Sequence, residues 1–575
     1  CHDHEFSPPV WNEEIRHLLY KKGDRLELPN YRSISLAATI GRTYTRIINK
    51  RISNFAEQNN LLPEVQAGFR PKRRGDDNIF TIQTLLQYHK KMKNPIYLAF
   101  VDIKAAYDNI NRTTLWSILQ NLELSKKTIK IVQNLYHNTT MQVTWKRGLT
   151  KPIKVEKGLK QGCPLSPLLF NLYISHLPQV IHQNSAGITL EDTKITSLFY
   201  ADDIVLFNST QMDLINTLQT LQIELEKLDL VINCKKSKIM KSDPQEEQPI
   251  SWPLIDRTGK ITDWMEEVRE FKYLGVMLDA NGTSRNHEKL LTKKINMHTA
   301  KVKSLAKQSL AGEISAEYLW LNKAKQAILH GIPSISITKK MINDLEIAQL
   351  KIAKYILQVS QTTNGSLIRQ HMEWPSMTSE LHTRQMQLWT RLANMTDDRI
   401  PKRALKIATC STSKWIQNIH ELQDRYDMFI PPTDEPHGLT SIKSKIFKIN
   451  NTEDEQKTKI GKWPYRLRLD RKDWNIKEKK INVLTQAILR DIYSITGRNK
   501  MDICIKCQNE CTDWIDHILT ECPHQKLSDI RSHIHNITGF DQIGMSHLWL
   551  QCTYPEVQQT IESIINTWRE IPNMQ

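Results

Sequence analysis

The sequence predicts an α+β fold, and three stretches carry that prediction. Leu198 to Phe207 reads LFYADDIVLF: two short apolar runs flank a pair of aspartates, the pattern of a β-hairpin with an acidic tip. Ile96 to Ile103, IYLAFVDI, reads as a buried strand with Asp102 at its C-terminal end. Met212 to Leu228 sets Leu214, Leu218, Leu221, Leu225 and Leu228 four and three residues apart, the apolar stripe of a helix that packs under a sheet. A further helix is expected from Leu165 to about Leu177, opened by Ser166 and Pro167 after a turn at Gly162 and Pro164. Strand, helix, hairpin, helix and strand in that order compose a ferredoxin-like unit.

Composition narrows the partners. A chain of 575 residues is long for one domain. Its 79 Lys+Arg against 62 Asp+Glu leave a formal charge of +17, spread along the chain, which favours a polyanion and nucleic acid ahead of membrane. Nine cysteines, an odd number and mostly scattered, fit a reducing compartment better than a disulfide framework. No run approaches the ~20 apolar residues of a membrane span, and no signal pattern opens the chain. The expectation is an intracellular or nuclear protein, soluble or chromatin-associated. Because the first residue is Cys1, the chain is expected to be part of a longer product.

The first 95 residues read as a basic module. KKGD, Lys21 to Asp24, and PNYRSISL, Pro29 to Leu36, precede a helix expected from Thr39 to about Asn54. A second basic loop, Glu64 to Asp77, carries Arg70, Lys72, Arg73 and Arg74 ahead of a helix around Asn78 to Tyr88. Guanidinium groups on such a loop can grip a triphosphate or a nucleic-acid backbone; a solvated charge run is the plain alternative.

Paired carboxylates held against a buried sheet are costly without a cation, and the hard oxygen donors favour Mg2+. Asp102, Asp202 and Asp203, all on strand ends, converge on one sheet edge in this reading, an arrangement that holds two Mg2+ ions for phosphoryl transfer. Tyr107 lies just past the first strand, where its ring can press on the sugar of an incoming nucleotide or simply fill core. Gly162 permits close backbone approach to a base pair, and Gln161 can hydrogen-bond substrate or template.

Asp102 with Tyr107, GLKQGCPLSPLLFNLYI (Gly158 to Ile174) and YADD (Tyr200 to Asp203) resemble motifs A, B and C of reverse transcriptases, most closely the non-LTR, LINE-like branch. The resemblance runs from about Tyr20 to Gly275, in order and spacing. KKGD with NYRSISL resembles the branch's N-terminal finger motif. QAGFR (Gln66 to Arg70) resembles the finger motif whose arginine contacts the incoming triphosphate, which implies that role for Arg70. INCKKSKIM (Ile232 to Met240) resembles motif D, with Lys236 matching the lysine implicated in protonating pyrophosphate, and FKYLG (Phe271 to Gly275) resembles the primer grip. Asp229 stands where the family often has glycine, and Tyr107 where this branch often has phenylalanine.

The resemblance implies a right-hand polymerase. Fingers and a ferredoxin-like palm occupy 1–280, a helical thumb and connecting region 281–430, a linker 431–462, and a mainly helical C-terminal region 463–575. Lys293, Lys294, Lys301, Lys303 and Lys307, interspersed among apolar residues, suit a helix that clamps a duplex. In the last region Cys504, Cys507, His517 and Cys522 form C-x2-C-x9-H-x4-C, the order and spacing of a structural zinc site, with Cys511, His524, His533 and His535 as alternative ligands. That set also resembles the CCHC element of non-LTR retrotransposons. Nearby Arg466, Arg468, Arg471 and Lys472, with Trp463, Tyr465 and Trp474, offer phosphate contacts and stacking surfaces, or core.

The implied function is an RNA-directed DNA polymerase of a non-LTR retroelement, working by target-primed reverse transcription. Asp102, Asp202 and Asp203 would hold two Mg2+, Arg70 the triphosphate, Gln161 and Gly162 the nascent pair, and Lys236 would donate a proton. Template RNA, a DNA primer or target DNA, and dNTPs are the implied partners, with no membrane. A group II intron-type maturase is disfavoured by the KKGD variant and the CCHC element. A domesticated or decayed nucleic-acid-binding protein is the alternative from another class.

Overall fold

The computed structural model describes residues 4–457 except 22, 146–147, 243–250, 309–311, 358–360, 362–364, 373 and 432–434. The candidate zinc ligands Cys504, Cys507, His517 and Cys522, and the basic and aromatic cluster before them, lie outside the described residues. Two compact units divide the chain. One comprises Cys1–His287, Gly331–Ser336 and Leu388–Glu421; the other comprises Glu288–His330, Ile337–Gln387 and Leu422–Gln575. This division differs from the expected boundary near residue 280, because Leu388–Glu421 returns to the first unit.

The first unit opens with the antiparallel hairpin β1 (Glu13–Tyr20) and β2 (Tyr31–Leu36), followed by α1 (Thr39–Gln58) and α2 (Gly75–Lys91). After β3 (Tyr97–Asp102) come α3 (Arg112–Asn121) and α4 (Lys126–Tyr136), whose N-caps Asn111 and Ser125 accept from the backbone N–H three residues on. β4 (Thr140–Trp145) pairs parallel with β1, and the short β5 (Gly148–Leu149) and β6 (Ile153–Lys154) pair with β4. Next are α5 (Ser166–Tyr173), α6 (Leu177–Asn184), the small hairpin β7 (Ile188–Leu190) and β8 (Thr193–Ile195), then β9 (Ser197–Tyr200) and β10 (Asp203–Asn208). After α7 (Gln211–Lys227) follow β11 (Lys238–Lys241), β12 (Ser251–Ile255), β13 (Ile261–Glu267), β14 (Glu270–Tyr273) and β15 (Val276–Asp279).

The central sheet has the order β12-β13-β11-β3-β10-β9. Its last four strands, β11-β3-β10-β9, are all antiparallel and carry the two helical crossovers of a ferredoxin-like unit. The expected leucine stripe of α7 faces its core: Leu214, Leu218, Leu221 and Leu225 are each fully buried, worth about 2 kcal/mol apiece. They join Ala99, Val101, Ile204 and Leu206 from one face of the sheet. On the other face Phe100 stacks on Phe271 of β14 at 4.4 Å and packs near Tyr273. β14 and β15 meet in a tight turn at Leu274 and Gly275, both at positive φ, as a two-residue hairpin requires.

Three features depart from expectation. The helix expected over Leu165 to Leu177 is two helices, because a proline at 178 cannot continue a helix through Ile174, the residue four before it. The β12–β13 hairpin widens the sheet and was not anticipated; Pro253 sits in its edge strand, where a missing N–H is tolerated. The expected linker is helical over Pro436–Lys457, where Ile442 and Ile446, one turn apart, are buried beneath a largely charged surface.

The other unit is helical. It takes in most of α8 (Arg285–Lys307), then α9 (Gly312–Leu319), α10 (Lys325–Leu329), α11 (Lys339–Ile356), α12 (Gly365–Met372) and the start of α13 (Met377–Ala393). α14 (Ile400–Cys410) and the start of α15 (Lys414–Tyr426) belong to the first unit, and α16 (Pro436–Lys457) to the second. Along α8, Leu291, Ile295, Val302 and Ala306 are buried while Lys293, Lys301 and Lys307 are exposed. No helix among the described residues is long and apolar enough to cross a membrane.

Candidate active site

Antiparallel pairing brings the acidic residues together. Register sets Asp203, first residue of β10, directly opposite Asp102, last residue of β3, so both side chains leave the same face of the sheet. That is the face of Phe100, away from the helical core. Asp202 lies in the two-residue turn with Ala201, between β9 and β10.

The segment 232–240 holds the first of these carboxylates. Asn233 Nδ2 donates to Asp102 Oδ2 at 2.9 Å, and the Asn233 backbone N–H donates to the Asp102 carbonyl at 2.8 Å. The Asp102 backbone N–H donates to Ser237 Oγ at 3.1 Å, while Lys236 Nζ, on a largely exposed side chain, lies 3.4 Å from Asp102 Oδ2. Asn233 and Ser237 were not singled out in the sequence. Their signal was position alone, flanking Lys236 by three residues and one.

The electrostatics are those of negative charge only partly compensated. Burial, with the charges of Asp202 and Asp102, pushes the Asp203 carboxyl up to about 6. Burial and Asp102 also raise Asp202, against the lowering influence of Lys236 and Arg32. Lys21 is shifted down by burial and by Arg32 and Lys236, against Asp102 and Asp108. Lys21 and Arg32 of the first hairpin therefore lie within electrostatic reach of the carboxylates. Among the described residues no three His, Cys, Asp or Glu side chains form a ready-made metal cage. The donor set nevertheless suits a hard divalent cation: it is all carboxylate, and its repulsion is what such a cation relieves.

A stability prediction follows for protein kept in chelator. The folded state binds a proton on Asp203 more tightly than the unfolded chain, so the stability this group contributes is present below about pH 4 and lost as pH rises through about 6. Asp203→Asn should therefore stabilise the metal-free chain by on the order of 2 kcal/mol at about pH 7.5, with an advantage that narrows towards about pH 5. Thermal melts in EDTA at the two pH values test it; a pH-independent difference would refute it.

The expected substrate-contacting residues divide. Tyr107 stacks on Phe170 at 5.0 Å, with burial and the Asp202 charge raising its hydroxyl above the ordinary tyrosine range. Gln161 Nε2 donates to Asp108 Oδ2 at 3.0 Å, and its carbonyl accepts from Ser35 N–H of β2 at 2.8 Å. Gly162 has φ +103°, and a Cβ there would meet the Ser35 carbonyl at 3.2 Å, so glycine is required where the first hairpin crosses this turn. Asp229 follows α7 with φ +57°, a left-handed position that explains why glycine is common there; its Oδ2 accepts from Asn111 Nδ2.

Arg70 makes its hydrogen bonds to α1 and within its own loop. It is buried, with Nε and Nη2 on the two carboxylate oxygens of Glu57 at 2.8 and 2.7 Å and Nη1 on the carbonyls of Pro63 and Gln66. Burial resists ionisation of Glu57, yet the Arg70 hydrogen bonds hold its carboxyl below the usual value. A guanidinium so occupied anchors its own loop in this structure.

The family described as reverse transcriptase (RNA-dependent DNA polymerase) matches residues 20–278. The chain is 24% identical over 345 residues to a Pol polyprotein of the type-1 retrotransposable element R2 of Popillia japonica, covering 59% of this chain and 47% of that protein. It is 25% identical over 260 residues to the R2DM polyprotein of Drosophila melanogaster, covering 44% and 24%. To the RNA-directed DNA polymerase from the mobile element jockey of Drosophila funebris it is 24% identical over 291 residues, covering 47% and 29%. The chain thus spans about half or less of the length of these relatives. Among solved structures, a telomerase from Candida tropicalis overlaps 69% of this chain and 64% of its own at TM-score 0.36 and 12% identity. Residues 20–278 accordingly match the reverse transcriptase family, and the relatives aligned with them are polyproteins and polymerases of retrotransposable elements.

Proposed function

We propose that this chain copies RNA into DNA at the Asp102, Asp202 and Asp203 carboxylates, extending a DNA 3′-end supplied by a nicked target. The observation that carries this reading is the β3–β10 register, which places Asp203 opposite Asp102 with Asp202 in the adjoining turn. Two Mg2+ ions held by these three residues would supply the Lewis acidity that nucleotidyl transfer needs. Asn233 and Ser237 fix Asp102, the Tyr107 ring walls the nucleotide sugar, and Gln161 with Gly162 lines the nascent pair. Lys236, exposed beside Asp102, is the proton donor to departing pyrophosphate. Residues 1–280 act as fingers and palm, the helical region that follows as thumb, and Cys504, Cys507, His517 and Cys522 as a structural zinc site. The decisive experiment incubates the chain with Mg2+, dNTPs and a DNA primer annealed to RNA, and in parallel with a nicked duplex plus RNA. Extension in the first supports the polymerase, and extension from the nick supports target priming. Salt-sensitive binding without synthesis would replace this reading with that of a nucleic-acid-binding protein.

With Arg70 engaged elsewhere, we assign the triphosphate to Arg32 and Lys21. Arg32→Ala should raise the KM for dNTP about tenfold, the loss of one charge-assisted contact. Arg70→Ala should instead lower the urea midpoint and leave that KM within about twofold. Reversal of the two phenotypes would restore Arg70 to the substrate.

A further inference from the structure

The QAGFR loop touches the acidic hairpin at its turn. Gln66 is 2% exposed, and its Oε1 accepts two backbone hydrogen bonds, from Ala201 N–H at 2.8 Å and from Gly68 N–H at 2.9 Å. Its Nε2 lies 3.5 Å from the Ala201 carbonyl. Ala201, immediately before Asp202, has φ +55°, a left-handed conformation that a residue with a Cβ adopts only when its surroundings impose it. Around this contact the two segments are laced together: Ala67 N–H donates to the Phe199 carbonyl and Phe199 N–H to the Val65 carbonyl, each at 2.9 Å. A Cβ on Gly68 would fall 2.4 Å from the Ala201 nitrogen, so only glycine allows this approach.

The loop is itself held from behind. Asn171 Nδ2 of α5 donates to the Gly68 carbonyl at 2.8 Å, and Arg70 Nη1 donates to the Gln66 carbonyl at 3.2 Å while its fork grips Glu57. Glu64 pairs with Arg73 at 2.7 Å and also accepts from Arg399. A braced loop thus presents one side-chain acceptor to two buried amides, its own Gly68 N–H and the Ala201 N–H of the turn.

We propose that Gln66 is a positioning residue, whose side-chain amide holds Ala201 in its left-handed conformation and thereby sets where the Asp202 carboxylate lies relative to Asp102 and Asp203. This rests on the reading of those carboxylates as a divalent-cation site, and it acts through the turn, without contact between Gln66 and substrate. Gln66→Met keeps the volume and removes the acceptor. Gln66→Glu keeps an acceptor for both N–H groups.

The test is a Mn2+ titration of the full chain followed by electron paramagnetic resonance, with Asp202→Ala as background, alongside the Mg2+ requirement for primer extension. Gln66→Met should weaken Mn2+ binding about tenfold and raise the half-maximal Mg2+ concentration by the same factor, with the dNTP KM within about twofold. Gln66→Glu should return both to within about threefold of the parent. Thr217→Val, which removes buried hydrogen bonds with Asn208 at the far end of β10 and with Ser185 after α6, should lower the melting temperature and leave Mn2+ binding unchanged. If Gln66→Met does not fold, Gln66→Asn, which withdraws the acceptor by one methylene, is read in the same titration. A Gln66 variant that melts lower yet binds Mn2+ like the parent would overturn the inference. A parent that binds Mn2+ but extends no primer would overturn the polymerase reading alone.

Discussion

Asp202→Ala is expected to lower dNTP incorporation on primed RNA by about a thousandfold, some 4 kcal/mol of transition-state stabilisation, without loss of folding. The turn supplies the reason for both halves of that outcome. Asp202 sits between two paired strands whose hydrogen bonds do not involve its side chain, so alanine there leaves the β9–β10 register in place. Its charge is a burden on the folded state, since burial and Asp102 raise its carboxyl. The metal-free variant should therefore melt at the parent's temperature or above. Adding Mg2+ should stabilise the parent and not the variant, because a cation that binds only the native state adds its binding free energy to folding. Incorporation equal to the parent's would remove Asp202 from the chemistry; a variant that fails to fold would place it in the scaffold.

The sequence made the palm legible because its signals are local. The apolar run of β3, the leucine stripe of α7 and the acid-tipped hairpin each state their own structure within about a dozen residues, and register then brings Asp102 to Asp203. Residues whose work depends on distant partners were not legible in the same way. Arg70 in a basic loop reads as a phosphate grip, and only the fold reveals that Glu57, on the preceding helix, occupies its guanidinium. Asn233 carries no signal of its own until Asp102, more than a hundred residues earlier, arrives beside it. Gln66 carried no chemical signal of its own, since an amide becomes a clamp only when a strained turn is laid against it. The same holds for α16, where two buried isoleucines stand among mostly polar and charged residues of the expected linker.

Arg391→Leu is expected to destabilise the first unit by about 3–5 kcal/mol, the cost of leaving a buried charge without its partner. Arg391 pairs with Asp77 on α2, and both side chains are more than nine-tenths buried. Asp77 also accepts from the Arg74 backbone N–H at 2.9 Å, closing the first turn of α2 directly after the QAGFR loop. Further along the same returning segment Arg399 engages Glu64, and Trp415 donates to the Pro333 carbonyl at 2.7 Å while its ring meets Phe80 of α2 at 4.7 Å. This makes Leu388–Glu421 an integral wall of the unit. In urea denaturation Arg391→Leu should lose stability, and Asp77→Asn combined with Arg391→Leu should regain more than half of it, because asparagine still accepts from Arg74 while carrying no charge. If the single variant costs less than about 1 kcal/mol, the pair is dispensable and the segment is held by apolar packing alone. If the double variant is no better than the single, the loss comes from the arginine's own packing and not from the stranded aspartate.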